Sequence, residues 1–341
     1  MNFEELFGMA VLRDYLKARV YKPYFGEILF PEDKVQDIDL AYIKGAKNLP
    51  VSASIHGFDT ETEIASREQL EYVKQRLALI KRKIRMGEEL LVKLNTPRTS
   101  AEFEKAKETV FNDVDKMVKA VTTRIEAMRM EALSTGKITV NENGAVLTID
   151  YGVPSDNIKT LAGNSVWTDP ASDPLNDILT WMNDIIKTSG TKPTRALTSN
   201  AVLAALLNNA KVRKDILGND TKLLTKTTLN TFLQENEYPT IVTYDEQYRV
   251  QNQNGTYTSK RFFPENKFVM FGIEPLGETI YGLTPEEIAL SGKTDVEISE
   301  NQKVTVGIYS TIDPVATWTK ATATALPTFP LAGEVVIATV K

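Results

Sequence analysis

The stretch TSAEFEKAKETVFNDVDKMVKAVTTRIEAMRMEALST, residues 99–135, decides the fold. Its apolar residues recur in steps of three and four, the period of an α-helix with one buried face: Phe103, Ala106, Val110, Val114, Met117, Val121, Ile125, Met128 and Ala132. Thr99 followed by Glu102 has the pattern of a capping box, and Gly136 is typical of a helix C-terminal cap. The sequence therefore predicts one helix over 99–135, roughly 50 Å long.

Two features set the context of this helix. The apolar residues repeat on average about every 3.6 residues, whereas helices that pair in a coiled coil repeat every 3.5 residues. The repeat therefore favours a helix that packs on a sheet of its own chain over one that pairs with another helix. The next residues, ITVNENGAVLTIDYG, place two alternating β-rich runs around Asn143-Gly144. Asn-Gly favours a two-residue turn between antiparallel strands, so we predict a hairpin over 137–152.

The composition limits the chemistry that the chain can perform. With 341 residues and 42% hydrophobic content, about two folded domains are expected. The chain has no cysteine and a single histidine, His56, which excludes disulfides, thiolate zinc sites and histidine-based catalytic sets elsewhere. The net charge of -5 gives no global basic field for nucleic acid, and no apolar run reaches transmembrane length. We predict no catalytic, cofactor or metal site and no membrane partner.

The N-terminal 75 residues suit extended contacts better than a core. A short helix is predicted from Phe3 to about Arg19, followed by YKPYFGEILFPEDK, which contains two prolines and a glycine that prevent long regular structure. This segment is either an arm that lies on another surface or the edge of a domain core. Residues 50–70 are rich in Ser, Thr and acids and predict an exposed β-hairpin or mobile loop.

A basic run follows. The bases Lys74, Arg76, Lys81, Arg82, Lys83 and Arg85 occur with no acid between them. Such a run is either a docking surface for an acidic partner or nucleic acid, or an ordinary solvated face. The sequence leaves both alternatives open.

The second half predicts a mixed α/β domain. Residues 153–173 are polar and rich in Gly, Pro and Asp, as in a crossing between domains, and Trp167 within them suits an anchoring contact. Such an anchor joins either two domains of the chain or two subunits, and an anchor within the chain is the favoured alternative. Helices are predicted after Asp173-Pro174, after Ser199 with a run-out to Gly218, and over 225–235. Strands are predicted over 194–197, TIVTYD and KFVMFG, with a hairpin at Asn254-Gly255 and a tail whose last strands Pro327 and Pro330 limit to edges or breaks.

The order of these parts resembles the major capsid protein of tailed phages, in the branch typified by the phage lambda major head protein. The resemblance covers nearly the whole chain and is carried by YFGEILF at 24–30, Asp150-Tyr151-Gly152, Trp167, Asp173-Pro174, FPENK at 263–267, VMFG at 269–272, Asp313-Pro314 and the closing EVVIATVK. None of these motifs is a catalytic signature.

The resemblance implies the α+β fold of the Hong Kong 97 phage-like capsid proteins. The expected parts are an N-terminal arm (1–50), an extended β-hairpin loop (50–75), a peripheral domain with a β-sheet (76–155), and a mixed α/β axial domain (156–310). Helix 99–135 is expected to be the spine of the peripheral domain, hairpin 137–152 to belong to the same domain, and residues 311–341 to return to the peripheral sheet.

The implied function is self-assembly. Subunits would make head-to-tail contacts in hexamers and pentamers of an icosahedral virion shell, assembled in the host cytoplasm, that encloses double-stranded DNA without sequence-specific binding. Portal, scaffolding and decoration proteins are further expected partners. One alternative is the shell protein of an encapsulin-type bacterial compartment. A carboxylate-dependent two-domain enzyme is a second alternative, which the lack of cysteine and the single histidine disfavour.

A set of exposed aromatic and basic residues is predicted to make the assembly contacts: Tyr24, Phe25, Phe30, His56, Phe58, Arg67, Lys81, Arg82, Lys83, Arg85 and Trp167. Because the whole chain is acidic, the basic run is expected to pair with acidic residues of an adjacent subunit and not with packaged DNA.

Overall fold

A computed structural model describes residues 14–15, 18–19, 21–44, 71–95, 99–142, 144–252, 254–272, 275–289, 296–301, 303–313 and 315–341. The chain divides into two compact units. The first comprises Met1–Leu40, Lys74–Met128 and Glu278–Thr328, and the second Ala41–Val73, Arg129–Gly277 and Phe329–Lys341.

The described chain contains both helices and strands. The helices are α1 Gly26–Leu29, α2 Glu88–Asn95, α3 Ser100–Thr135, α4 Pro174–Ser189, α5 Asn200–Asn208, α6 Ala210–Leu217, α7 Lys226–Glu235 and α8 Pro285–Ala289. The strands are β1 Glu32–Lys34, β2 Asp39–Lys44, β3 Glu71–Arg76, β4 Ala78–Met86, β5 Lys137–Glu142, β6 Ala145–Asp150, β7 Ile158–Thr160, β8 Arg195–Thr198, β9 Thr240–Thr243, β10 Gln247–Gln251, β11 Tyr257–Arg261, β12 Lys267–Phe271, β13 Thr279–Gly282, β14 Val296–Asn301, β15 Val304–Ile312, β16 Val315–Pro327 and β17 Val336–Thr339.

The long helix α3 begins and ends where its sequence signals predict. The Thr99 hydroxyl accepts a hydrogen bond of 3.2 Å from the backbone N–H of Glu102. At the other end Gly136 adopts φ +71°, and its N–H donates to the carbonyl of Ala132 at 2.8 Å. From Val110 onward the predicted apolar stripe is at most 5% exposed. The chain itself therefore covers this part of the stripe, which leaves no apolar face there for a second helix.

The first unit contains a six-stranded sheet in the order β1-β13-β16-β15-β14, with β4 also paired to β16. Strand β1 is parallel to β13, and the remaining pairs are antiparallel. Strand β4 runs along β16 from the pair Ala78–Ala325 to the pair Met86–Thr317. This register fixes the position of the basic run.

The aromatic segment before β1 lies along α3 in the same unit. The Gly26 N–H donates to the buried carboxylate of Glu126 at 3.0 Å, and the hydroxyls of Tyr24 and Thr123 are 2.8 Å apart. Phe30 is 0% exposed. Of the two alternatives for residues 21–34, the edge of a domain core is therefore the one that the structure has.

The second unit is a five-stranded mixed sheet in the order β7-β17-β12-β8-β9, with its helices packed on it. The predicted caps are present, because the side chains of Asp173, Ser199 and Thr225 accept bonds at the starts of α4, α5 and α7. The predicted continuation of α5 to Gly218 is a separate helix, α6. Asn209 has an extended backbone (ψ 129°) that ends α5, and its side chain caps the start of α6. Both predicted hairpins form, as β5–β6 and β10–β11.

The units interleave along the chain, which differs from the predicted boundaries. Residues 153–173 and hairpin 137–152 both lie within the second unit. The tail divides: β16 joins the first sheet, whereas β17 lies between β7 and β12 in the second. The apolar residues of β17 are buried there, so its placement inside the sheet, and not at an edge, follows from its hydrophobicity.

Candidate functional site

The basic run adopts a strand, and a strand sends alternate side chains to opposite faces. Along β4 the exposed positions are Leu79, Lys81, Lys83 and Arg85. The intervening residues, among them Ile80, Arg82 and Ile84, are half-buried on the other face. Lys81, Lys83 and Arg85 therefore form one row, and Arg82 is not part of it.

Aromatic rings continue this row across the sheet. In the register of β4, β16 and β15, Trp318 lies opposite Arg85 on one side and opposite Tyr309 on the other. The Lys83 Nζ lies 4.2 Å from the centroid of the Trp318 ring, within the range of a cation–π contact. We call Lys81, Lys83, Arg85, Tyr309 and Trp318 the basic–aromatic face.

The three bases of this face carry uncompensated charge. Lys320, which lies opposite Lys83, forms an ion pair with Glu286 of α8. Within the described ranges no carboxylate pairs with Lys81, Lys83 or Arg85. Alternate residues of a strand are roughly 6.6 Å apart, so neighbouring charges repel by about 0.6 kcal/mol even in water. An acidic surface placed on this row would relieve that repulsion.

The short helix α8, which carries Glu286, is held by a capping box beside Lys34. The Thr284 N–H donates to Glu287 at 2.7 Å, the Glu287 N–H donates back to the Thr284 hydroxyl at 3.2 Å, and Lys34 donates to Glu287 at 2.8 Å. Burial opposes ionisation of Glu287, but the bonds from Lys34 and Thr284 outweigh it and hold the pKa of this carboxyl below its usual value. Because the capping box holds α8, Glu286 is kept beside Lys320 and neutralises it.

The aromatic residues predicted to contact a neighbour are largely inside their own unit. Tyr24 and Phe25 are half-buried against the chain's own residues. Phe30 is 0% exposed within its own chain, and its contact with a neighbouring subunit stays a prediction. The three remaining loop residues, His56, Phe58 and Arg67, lie outside the described residues.

Trp167 is a core residue of the second unit. Its side chain is 1% exposed, and its ring stacks on Trp181 with centroids 5.9 Å apart and meets Phe268 edge-on at 4.9 Å. Its Nε1 donates to the Asp177 carboxylate at 2.9 Å. Burial raises the pKa of Asp177, and the bond from Trp167 partly offsets that rise. The apolar surface of the indole is buried and its N–H is hydrogen-bonded within one unit, and its contact with another subunit stays a prediction.

The two aromatic members of the face, Trp318 and Tyr309, were not predicted as site residues. Both belong to the tail of the chain, which is rich in β-forming residues. What marks these two residues as part of the face is the neighbour on the adjacent strand. For Trp318 that neighbour is Arg85, which lies more than 200 residues away in the sequence. Pattern reasoning on one segment does not supply such a partner.

Two solved structures share this fold over nearly the whole chain. One is from a prophage of Escherichia coli CFT073, assigned as its capsid protein, at 15% identity with 98% of this chain and 99% of that chain covered and a TM-score of 0.63. The other is a phage-related protein of Bordetella bronchiseptica RB50, at 14% identity with 96% of each chain covered and a TM-score of 0.52. No curated protein matches in sequence. The chain therefore has the fold of these two phage-related proteins.

The family assignment follows from the sequence. The family model for phage major capsid protein E matches residues 8–340, and the chain belongs to this family. It is a shell-forming major capsid protein of a tailed phage, which confirms the family and the function that the resemblance implied. The expected capsid fold with both helices and strands is confirmed as well. No helix within the described ranges has the length and apolar character to cross a membrane.

Proposed function

We propose that copies of this chain join head-to-tail into hexamers and pentamers, which close into an icosahedral shell around double-stranded phage DNA. The observation that carries this proposal is the match to phage major capsid protein E over residues 8–340. Closed rings built from one kind of subunit need a heterologous contact, in which two different surfaces of the same protein meet. In this proposal the first unit acts as the peripheral domain, with α3 as its spine, and the second as the axial domain.

The basic–aromatic face is the described surface that suits such a contact. Trp, Tyr and Arg are the residue types most enriched among energetically dominant interface positions, and this face contains all three. A second copy has a net charge of -5, so it offers acidic surface to the exposed bases. Contact with packaged DNA is less suited to the chain, because a net negative subunit repels phosphates over most of its surface.

The remaining roles belong to the same proposal. The protein is structural and performs no catalysis, and it assembles in the host cytoplasm beside a portal and a scaffolding protein, with a decoration protein as a further partner. The compartment-shell alternative is weaker, because the matching family is one of phage capsids. Neighbouring genes separate the two: terminase and portal genes accompany a phage capsid, and a peroxidase or ferritin-like gene accompanies a compartment.

Sedimentation velocity of the purified chain, beside a variant that lacks residues 55–66, tests the proposal. The full chain should form particles of many copies. The deletion variant should remain soluble with unchanged circular dichroism but sediment as small species, because the extended loop contributes an intersubunit contact. Wild-type protein that stays monomeric would contradict shell formation, whereas intact shells of the deletion variant would contradict only the role of the loop.

A further inference from the structure

We infer that Asn230 closes the open edge of β9, so that the sheet of the second unit cannot extend by pairing with β9 of a second copy. The side chain of Asn230 takes the place that a neighbouring strand would occupy. The inference goes beyond the proposed function, because it names an edge that copies of the chain do not use and does not depend on the formation of shells.

Strand β9 lies at the end of its sheet, and β8 is its one strand neighbour among the described residues. The N–H groups of Thr240 and Tyr244 donate to carbonyls on the β8 side at 3.0 Å each. Alternate residues of a strand direct their backbone groups to opposite sides. Ile241 and Thr243 therefore direct their N–H and C=O groups away from β8, toward the open edge.

Asn230, in the interior of α7, reaches this edge and bonds both backbone groups of Ile241. Its Oδ1 accepts from the Ile241 N–H at 2.8 Å, and its Nδ2 donates to the Ile241 carbonyl at 3.0 Å. A carboxamide has an acceptor and a donor side by side, as a peptide group of an adjacent strand would supply them. Ile241 is 1% exposed, and buried backbone groups need such partners. The bonding capacity of the edge at Ile241 is therefore taken by the same chain.

The second outward residue of β9 is covered by a charge. Lys226, four positions before Asn230 on α7, donates from Nζ to the hydroxyl of Thr243 at 3.2 Å. A lysine ammonium at a sheet edge opposes the addition of another strand, because the addition would remove the charge from water. Helix α7 thus protects both residues whose backbone groups face outward.

Without this protection the edge would favour pairing between copies. Residues 240–244, TIVTY, contain no charge, glycine or proline and consist of residue types that favour strands. Two β9 strands would pair antiparallel about a twofold axis at Val242, with Ile241 of each copy opposite Thr243 of the other. Val242 is 42% exposed and would be buried against its counterpart. This twofold pairing is the contact that Asn230 excludes.

A single introduced thiol tests whether the edge is closed. The chain has no cysteine, so Val242→Cys supplies the one thiol, at the position of the twofold axis. In paired strands the two facing Cα atoms would be about 4.5 Å apart, a separation that a disulfide spans. With oxidised glutathione as the oxidant, the Val242→Cys chain should remain unlinked. Added Asn230→Ala should raise the linked fraction of dimer on a non-reducing gel at least roughly tenfold, because the edge is then open.

Two matched variants control for other causes of linking. Gln234→Ala removes an exposed amide from the same helix and, combined with Val242→Cys, should leave the chain unlinked. Thr231→Cys places the thiol at an exposed position of α7 and should remain unlinked even with Asn230→Ala. Equal linking of Val242→Cys with and without Asn230→Ala would overturn the inference. A double variant that folds normally by circular dichroism and stays unlinked would overturn it as well.

Hydrogen exchange of the wild-type chain tests the closed edge without any substitution. The N–H of Thr243 faces the same edge, and the described part of the chain offers it no acceptor. Below the concentration at which particles form, the amide of Ile241 should therefore be protected at least roughly tenfold more than that of Thr243. Equal protection would refute the inference even if Asn230→Ala failed to fold. Neither measurement depends on particles, so a failure of shell formation would contradict the proposed function alone.

Discussion

The ammonium group of Lys83 lies 4.2 Å from the centre of the Trp318 ring, on neighbouring strands of one sheet. The two residues are 235 positions apart, and the pairing of β4 with β16 brings them together. The contact holds an exposed cation against a large, half-buried aromatic ring. In the proposed assembly this sheet face would offer charge for an acidic surface of a second copy and apolar area to bury against it.

Trp318→Ala should weaken assembly more than it weakens the fold. The ring is half-buried, and its loss removes the anchor of the face together with a cation–π contact worth about 0.5–1 kcal/mol. The concentration at which particles first form should rise at least about tenfold, as for an energetically dominant interface residue. Light scattering against protein concentration measures it. Trp318→Phe keeps a ring and should behave nearly as wild type, and equal thresholds for Trp318→Ala and wild type would refute the role of the face.

Gly136→Ala should destabilise the protein where α3 ends. The residue has φ +71°, and a Cβ there would lie 2.5 Å from Cγ2 of Val153. The left-handed backbone and the close contact together should lower the free energy of unfolding by about 1–3 kcal/mol. In a Val153→Ala background the same change should cost less, because the contact of 2.5 Å with Cγ2 is removed and only the contact of 3.1 Å with Cβ and the backbone penalty remain. Urea unfolding of the four variants gives the coupling, and identical costs in both backgrounds would show that Val153 is not involved.

Trp167→Phe should raise the pKa of Asp177 further. Burial already raises this pKa, and the hydrogen bond from the indole Nε1 lowers it more than the nearby charge of Lys211 does. Phenylalanine preserves an aromatic ring but has no donor. A carboxyl-carbon NMR titration should therefore show the carboxyl of Asp177 protonating at higher pH than in wild type. An unchanged or lower pKa would mean that the bond from Trp167 does not stabilise the carboxylate.

Glu287 should contribute stability that acid removes. Its folded-state pKa lies below the unfolded value of 4.5, because the bonds from Lys34 and Thr284 outweigh burial. The contribution is therefore complete above pH 4.5 and is lost as the pH falls through the folded pKa. In urea unfolding between pH 3 and 7 (a range chosen to span roughly that transition), Glu287→Gln should flatten the acid limb of the stability curve. The exposed Glu235→Gln serves as control, and equal acid limbs in wild type and Glu287→Gln would contradict the account.

Local signals in the sequence predicted the elements well. The bounds of α3 follow from Thr99 and Gly136, and the turn between β5 and β6 follows from Asn143-Gly144, because each signal acts within a few residues of the structure that it specifies. The starts of α4 and α5 at Asp173 and Ser199 have the same origin. The family could also be predicted from the sequence, because the resemblance depended on short motifs in a fixed order.

Long-range pairing was beyond the reach of pattern reasoning. Strand β1 pairs with β13 almost 250 residues later, and β17 returns to the sheet of the second unit, so the two units interleave. Trp167 was placed in a crossing because its neighbours are polar, although Phe268 and Trp181 enclose it. The exclusion of Arg82 from the basic row was available from the sequence, since Ile80 and Ile84 alternate with Lys81, Lys83 and Arg85. The prediction grouped all the bases as one contiguous run and so did not separate Arg82 from the other three.

Electron microscopy of the purified protein in negative stain tests the central claim most directly. A shell-forming capsid protein should give closed, regular particles or ring-shaped capsomers, with walls built from one repeating subunit. A preparation that contains only monodisperse monomers with a deep cleft, at concentrations and salt that favour association, would contradict the claim.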